Sequence, residues 1–377
     1  MTLYRSHHTR SLWVAIPLVL MLALAACGSD DGTTDTPLAP DNTDVPTPVA
    51  TTMHGTDEPA RVLVLHSYDS GYLWEQELNQ GILAGLNEGG YSNGIGNLVM
   101  DYFWMDTKRN TSPEYFSQIA EAATQRILDT RPDVVIATDN NAIRLVLQPW
   151  TEEGIPFVYA GLNDAPRNYE LEDRPNVTGV LERAHIAQTL DWIKLVLPEA
   201  KRLTFLADDS ITTAAYLTEV QMQLAGSTDF TVVGIYKTNS NTEWQRIVEE
   251  AQQTSDVLLL GTYTTLRDNN DRPISSTVLM GWTINHSSIP IVPLWEFGVQ
   301  EGGLGGPVIS GYTQGYEAAL KAVQILNGTP AGDIPVSAPQ RGKLTLNMVA
   351  ARRWNVEFPL DLLEVSTVYD QGTVIQR

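Results

Sequence analysis

The chain holds one cysteine, Cys27, in 377 residues. That scarcity excludes an internal disulfide and any thiolate metal centre. Basic residues are also few, with 24 Lys and Arg against 45 Asp and Glu and a formal net charge of −21. Nothing offers a phosphate backbone a basic stripe, which argues against nucleic acid as a partner. After residue 59 the only histidines are His66, His185 and His286, and no HExxH spacing exists. A G-x-x-x-x-G-K-[ST] phosphate loop is absent too. Past the N-terminal region no apolar run is long enough to cross a bilayer.

The N-terminal region itself is informative. Arg5 and Arg10 precede the apolar run "SLWVAIPLVLMLALAA", which ends in small residues. This is the layout of an export signal, residues 1–26, with an uncleaved membrane anchor as the alternative. Leu24-Ala25-Ala26-Cys27 resembles the bacterial lipobox. The resemblance implies cleavage before Cys27 and lipid on its sulfur, which anchors a protein to a membrane without spanning it. Residues 27–59 are rich in Asp, Thr and Pro and lack Lys and Arg, so a disordered acidic tether is expected. The body from residue 60 onward is long enough for about two domains and needs no disulfide staples.

The body alternates short β-branched runs with helix-period segments. "RVLVLHS" reads as a buried strand, and the helix after it carries Trp74, Leu78, Ile82 and Leu86 at four-residue steps. "SPEYFSQIAEAATQRILDT" opens with Ser112 as N-cap and Pro113 in the first turn. "PDVVIAT", "IPFVYAG", "RLTFLAD" and "DVLLLGT" are further apolar runs. Strands that are apolar throughout are covered on both faces, which predicts parallel sheets wrapped by helices. The alternation breaks near residues 166–180 and then resumes, which favours two doubly wound α/β lobes joined by a hinge over a closed barrel.

In open α/β sheets, ligands bind beyond the carboxyl ends of the strands. Ser67, Tyr68 and Asp69 follow the first strand; Asp139, Asn140 and Asn141 follow the third; Asn163 follows "FVYAG". In the second half, Asp209 and Ser210 follow "TFLAD", Tyr263 follows "LLLGT", and Trp295 and Glu296 follow "IVPL". Carboxylates there can meet an ammonium, helix starts an anion, and rings a planar ligand. Each Asp, Asn or Ser taken alone is equally a helix cap.

No catalytic spacing stands out. Gly90-Tyr91-Ser92-Asn93-Gly94 matches G-x-S-x-G but runs from helix to strand, the reverse of a nucleophile elbow, so Ser92 reads as a turn residue. His66 beside Asp69 could be an acid–base pair, but His66 reads first as a strand-end histidine making an ordinary hydrogen bond. No enzyme activity and no cofactor are expected.

The stretches "VLVLHSYDSGYLWEQELNQGI", "DTRPDVVIATDNNAIRLVL", "IPFVYAGLND", "RPNVTGV" and "IPIVPLWEFGVQEGGLGGPVISGY" together resemble the substrate-binding proteins of ABC transporters. The likeness is to the branch with the type I periplasmic-binding fold that includes aromatic amino-acid binders and sensor domains of some histidine kinases. It implies a hinged clamp. Residues 60–175 with about 311–330 would form lobe 1, and 176–310 lobe 2. Residues 331–377 would return across the hinge. The strand-end residues named above would then face a small-molecule ligand from both sides. An ABC permease is the implied membrane partner, and the protein is expected to be an extracytoplasmic, lipid-anchored monomer. With no output domain after Arg377, a complete sensor is not expected. A sensing module serving a separate signalling protein, and a surface hydrolase, are the rival functions.

Overall fold

The computed structural model describes residues 58–150 and 154–370 and the backbone of 373–375. The export signal, Cys27 and nearly all of the proposed tether lie outside the described residues.

The first sheet is built from strands β1 (Ala60–His66), β2 (Leu98–Trp104), β3 (Val134–Thr138), β4 (Phe157–Leu162) and β5 (Val177–Leu181). They pair in the order β2-β1-β3-β4-β5, all parallel. Helix α1 (Leu73–Glu88) follows β1, and α2 (Pro113–Thr130) follows β2. The short α3 (Asp139–Ala142) runs directly on from β3 into a π turn. The Ser112 side chain caps α2 by accepting from Tyr115 N, and Pro113 opens it. On β1, Val62 and Val64 pack against α1 while Leu63 and Leu65 face Ala123 and Ile127 of α2. Burial on both faces is why the strands read as unbroken apolar runs.

Helix α4 (Ile186–Val196) leads into the second sheet, formed by β6 (Arg202–Ala207), β7 (Thr231–Lys237), β8 (Val257–Leu260) and β9 (Ile291–Pro293). Its order is β7-β6-β8-β9, again parallel. Its helices are α5 (Ile211–Ala225), α6 (Asn241–Thr254) and α7 (Ser276–His286). After α8 (Glu296–Gln300) comes β10 (Gly305–Val308), then α9 (Gly311–Leu326) and β11 (Lys343–Asn347). The chain ends through α10 (Met348–Arg353), α11 (Leu360–Glu364), β12 (Thr367–Asp370) and β13 (Thr373–Ile375). Strands β10 to β13 form a third, mixed sheet.

Two expectations about boundaries change. Val177–Leu181, expected in the second lobe, adds to the first sheet beside β4. β10 (Gly305–Val308), expected within lobe 2, instead pairs antiparallel with β11 of the third sheet. Apolar runs encode burial but not partner, so neither pairing could be read from the run alone.

Helix α9 packs on α1 at backbone distance. A Cβ on Gly81 would stand 2.0 Å from the Tyr312 carbonyl oxygen, and one on Gly315 would stand 2.1 Å from that of Leu78. Glycine at these two positions lets the helices touch, which brings α9 and its Gln314 under the ends of β4 and β5.

Candidate functional site

The carboxyl ends of both parallel sheets open on one cleft of ≈ 270 Å³. Tyr68, Lys108 and Asn141 line it from the first lobe; Ser210, Thr212 and Thr265 line it from the second. Phe116 and Arg267 also line it.

The residues after β1 are held by buried polar bonds. Glu75 accepts from the Tyr68 backbone N–H at 3.0 Å, and its other oxygen meets His66 Nδ1 at 2.5 Å. The His66 ring stacks on Trp104 at 4.0 Å. The histidine's partner is therefore Glu75, in the first turn of α1, and not Asp69. Ser67 Oγ donates to the Thr138 carbonyl at 2.6 Å and accepts from Ala142 N at 2.7 Å. Ser67 thus ties β1 to the β3–α3 turn and points away from the cleft. Asp69 caps a local turn through Gly71 N and lies 3.7 Å from Arg109, also outside the cleft.

Two buried carboxylates, Asp139 and Glu182, act on Tyr68 electrostatically without themselves lining the cleft. Asp139 follows β3 in the left-handed region, φ 64°, a costly conformation for a side-chain-bearing residue. Its carboxylate accepts from Trp74 Nε1 at 3.0 and 3.2 Å. Glu182, one residue past β5, accepts from Trp295 Nε1 at 2.9 Å. Between them runs Gly161, φ 72°, where a Cβ would stand 2.8 Å from Asp139 Oδ1 and 3.3 Å from Glu182 Oε2. Gln314 of α9 accepts from Gly161 N at 3.2 Å.

Burial, helped by the nearby Glu75 and Glu182 charges, holds the Asp139 carboxyl well above the usual range. Burial pushes Glu182 up to about 7, against hydrogen bonds from Asn163 and Trp295 that pull it down. Two carboxylates sharing a dry site favour retaining a proton unless a cation joins them. The Tyr68 and Tyr72 hydroxyls, also raised by burial, meet Thr212 and Thr264 of the second lobe.

Asp208 organises the facing side. One oxygen accepts from Ser210 Oγ, Thr213 Oγ1 and Thr262 Oγ1 at 2.7, 2.8 and 2.8 Å. The other accepts from the backbone N–H of Thr264 and Thr265 at 2.7 and 3.2 Å. This fixes the β8 loop against the start of α5, where Ser210 is the N-cap. Asp209 lines the cleft edge while paired with Lys237 at 2.7 Å.

The other candidates divide. Asn141 lines the cleft and donates to Thr107 Oγ1 at 2.9 Å. Asn140 accepts from Asn163 N at 3.2 Å, so this pair braces neighbouring loops. Trp295 reaches the site through Glu182. Tyr263, expected at the cleft, is in the core of the second lobe, its hydroxyl on Glu301 at 2.7 Å. Glu296, also expected there, is buried away from the cleft, with Lys343 Nζ at 2.6 Å. Both follow apolar strands, but the chain turns inward after β8 and β9.

Sequence reasoning missed Lys108, Glu182 and Trp74. Glu182 had a signal: it directly follows β5 and obeys the strand-end rule once β5 belongs to the first sheet. Lys108 had none, since "DTKRN" has the composition of a solvated loop. Among the described residues no cluster of three or more His, Cys, Asp or Glu is arranged to hold a metal ion. Likewise no helix among them is long and apolar enough to cross a membrane.

The family model for "ABC transporter substrate binding protein" matches residues 63–368. The chain belongs to this family. It is 22% identical to the tyrosine-binding protein of Clostridioides difficile strain R20291 over 274 residues, 71% of this chain and 73% of that one. A conserved domain protein of Vibrio cholerae matches with a TM-score of 0.63 and 21% identity, covering 83% of this chain and 100% of that one. A Streptococcus pneumonia domain solved with L-Trp matches with a TM-score of 0.62 and 20% identity, covering 82% and 99%. The fold of this substrate-binding protein is thus the type I periplasmic-binding fold: α/β, with two doubly wound lobes.

Proposed function

We propose that this substrate-binding protein captures an amino acid with an aromatic side chain between its lobes and hands it to an ABC permease. The carrying observation is the Asp139–Glu182 pair. Two buried carboxylates, each held by an indole N–H and separated only by Gly161, form a seat for an ammonium group. Tyr68 and Phe116 line the cleft, whose volume of ≈ 270 Å³ suits a compact solute. The named ligands of the relatives, tyrosine and L-Trp, agree with this chemistry.

Binding without turnover is the proposed activity. Ligand contacts from both lobes favour the closed arrangement by differential affinity. A micromolar dissociation constant corresponds to about 8 kcal/mol. Lipid on Cys27 would keep the clamp near its membrane partner at raised effective concentration.

Titration calorimetry of the full chain with L-tyrosine, L-tryptophan, sugars and nucleosides tests the ligand class. Micromolar binding of an aromatic amino acid, weakened at least about tenfold (roughly 1.4 kcal/mol) by Asp139→Asn, is expected. Heat from a sugar or nucleoside with none from amino acids refutes the proposal. For the anchor, Cys27→Ser is expected to abolish palmitate labelling; a variant labelled as well as the parent overturns it.

A further inference from the structure

One cation already lies in the cleft. Lys108, on the loop between β2 and α2, donates from Nζ to Thr264 Oγ1 of the second lobe at 2.6 Å. The same nitrogen lies 4.3 Å from the centroid of the Tyr68 ring and 5.1 Å from that of Tyr72. The charges of Asp208, Asp139, Glu75 and Glu182 all act on it. Its hydrogen bond nevertheless goes to a neutral hydroxyl. Lys343 behaves differently, meeting Glu296 directly at 2.6 Å. An ammonium held by two ring faces, one hydroxyl and the field of nearby acids is held as proteins hold a foreign alkylammonium.

We infer that Lys108 is a tethered stand-in for the ligand's ammonium group: it bridges the two lobes and must withdraw before an amino acid is seated. The inference rests on the amino-acid reading of the cleft. Two consequences follow. The competent population is only the fraction with Lys108 withdrawn, so apparent affinity is reduced by that fraction. Solutes without a cation cannot replace what the lysine supplies, which makes Lys108 a determinant of specificity.

The test uses the full chain carrying Cys27→Ser, with spin labels at Glu121→Cys on α2 and Glu249→Cys on α6, both exposed. Interlabel distances are measured without added amino acid, with Lys108 intact and with Lys108→Ala. Lengthening of the distance in Lys108→Ala, and its return with millimolar propylammonium but not propionate, is expected. L-tyrosine affinity is expected to rise about tenfold in Lys108→Ala. An unchanged distance distribution overturns the bridge. A fall in affinity overturns the competition and assigns Lys108 to the ligand carboxylate instead. If neither protein binds any amino acid, the proposed ligand class fails, while the propylammonium rescue still decides whether Lys108 fills a cation seat.

Discussion

The indole N–H of Trp295 donates to Glu182 Oε1 at 2.9 Å, linking the end of β9 in one lobe to the end of β5 in the other. Both groups are buried. Trp295→Phe removes the donor but keeps most of the apolar surface. Loss of a hydrogen bond to a buried carboxyl costs about 2 kcal/mol, and the Glu182 pKa is expected to climb above its present value. Urea denaturation at pH 7.5 measures the loss. A double-mutant cycle with Glu182→Ala, which removes the acceptor, assigns it to this pair only if the two effects are non-additive.

Glu182 also sets a pH dependence. Its folded pKa of about 7 lies above the ordinary carboxyl value. Below the unfolded pKa both states hold the proton and no penalty exists. As pH rises toward 7 the unfolded chain ionises while the folded one does not, so stability falls, then levels off above the folded pKa. The full drop is about 3 kcal/mol. Glu182→Gln, which can still accept from Trp295, should flatten this slope and be the more stable protein at pH 8. An unaltered slope between pH 5 and 8 would remove Glu182 from the account.

Gly161→Ala tests the gap between the two carboxylates. The new Cβ meets Asp139 Oδ1 at 2.8 Å at a residue whose φ is 72°. Backbone strain and crowding together cost about 2–4 kcal/mol. Amino-acid binding should weaken more than tenfold (over about 1.4 kcal/mol), even at temperatures where circular dichroism shows the variant folded. Native affinity in a folded Gly161→Ala protein is the contrary result.

Asp208→Asn tests the opposite wall. Five donors converge on the two oxygens of Asp208. An amide presents an N–H₂ to some of them, leaving buried donors unpaired at a cost of about 3 kcal/mol. Thermal unfolding should show a marked fall in midpoint. A change within 1 °C, where about 1 kcal/mol moves a domain by several degrees, contradicts the hub role.

Much of the fold was legible in local pattern. Trp74, Leu78, Ile82 and Leu86 form the buried stripe of α1 that their spacing predicts, and Ser112 caps α2. Tyr68, Asn141 and Ser210 reached the cleft because the strand-end rule needs only the end of a strand to be located. Tyr263 and Glu296 satisfied the same rule and went into the interior, because the direction taken by the chain after a strand is set by what packs against it.

The sequence by itself determined the parallel, doubly wound elements, since a chain buried on both faces must be apolar at every strand position, and it determined the poverty of basic charge. Only the tertiary structure decided that Val177–Leu181 joins the first sheet, that Trp295 meets Glu182 and that Lys108 meets Thr264. The reason is range. Periodicity and capping act over one or two turns of chain, whereas these partners are separated by 113 and 156 residues and meet only when the two sheets bring their carboxyl ends together.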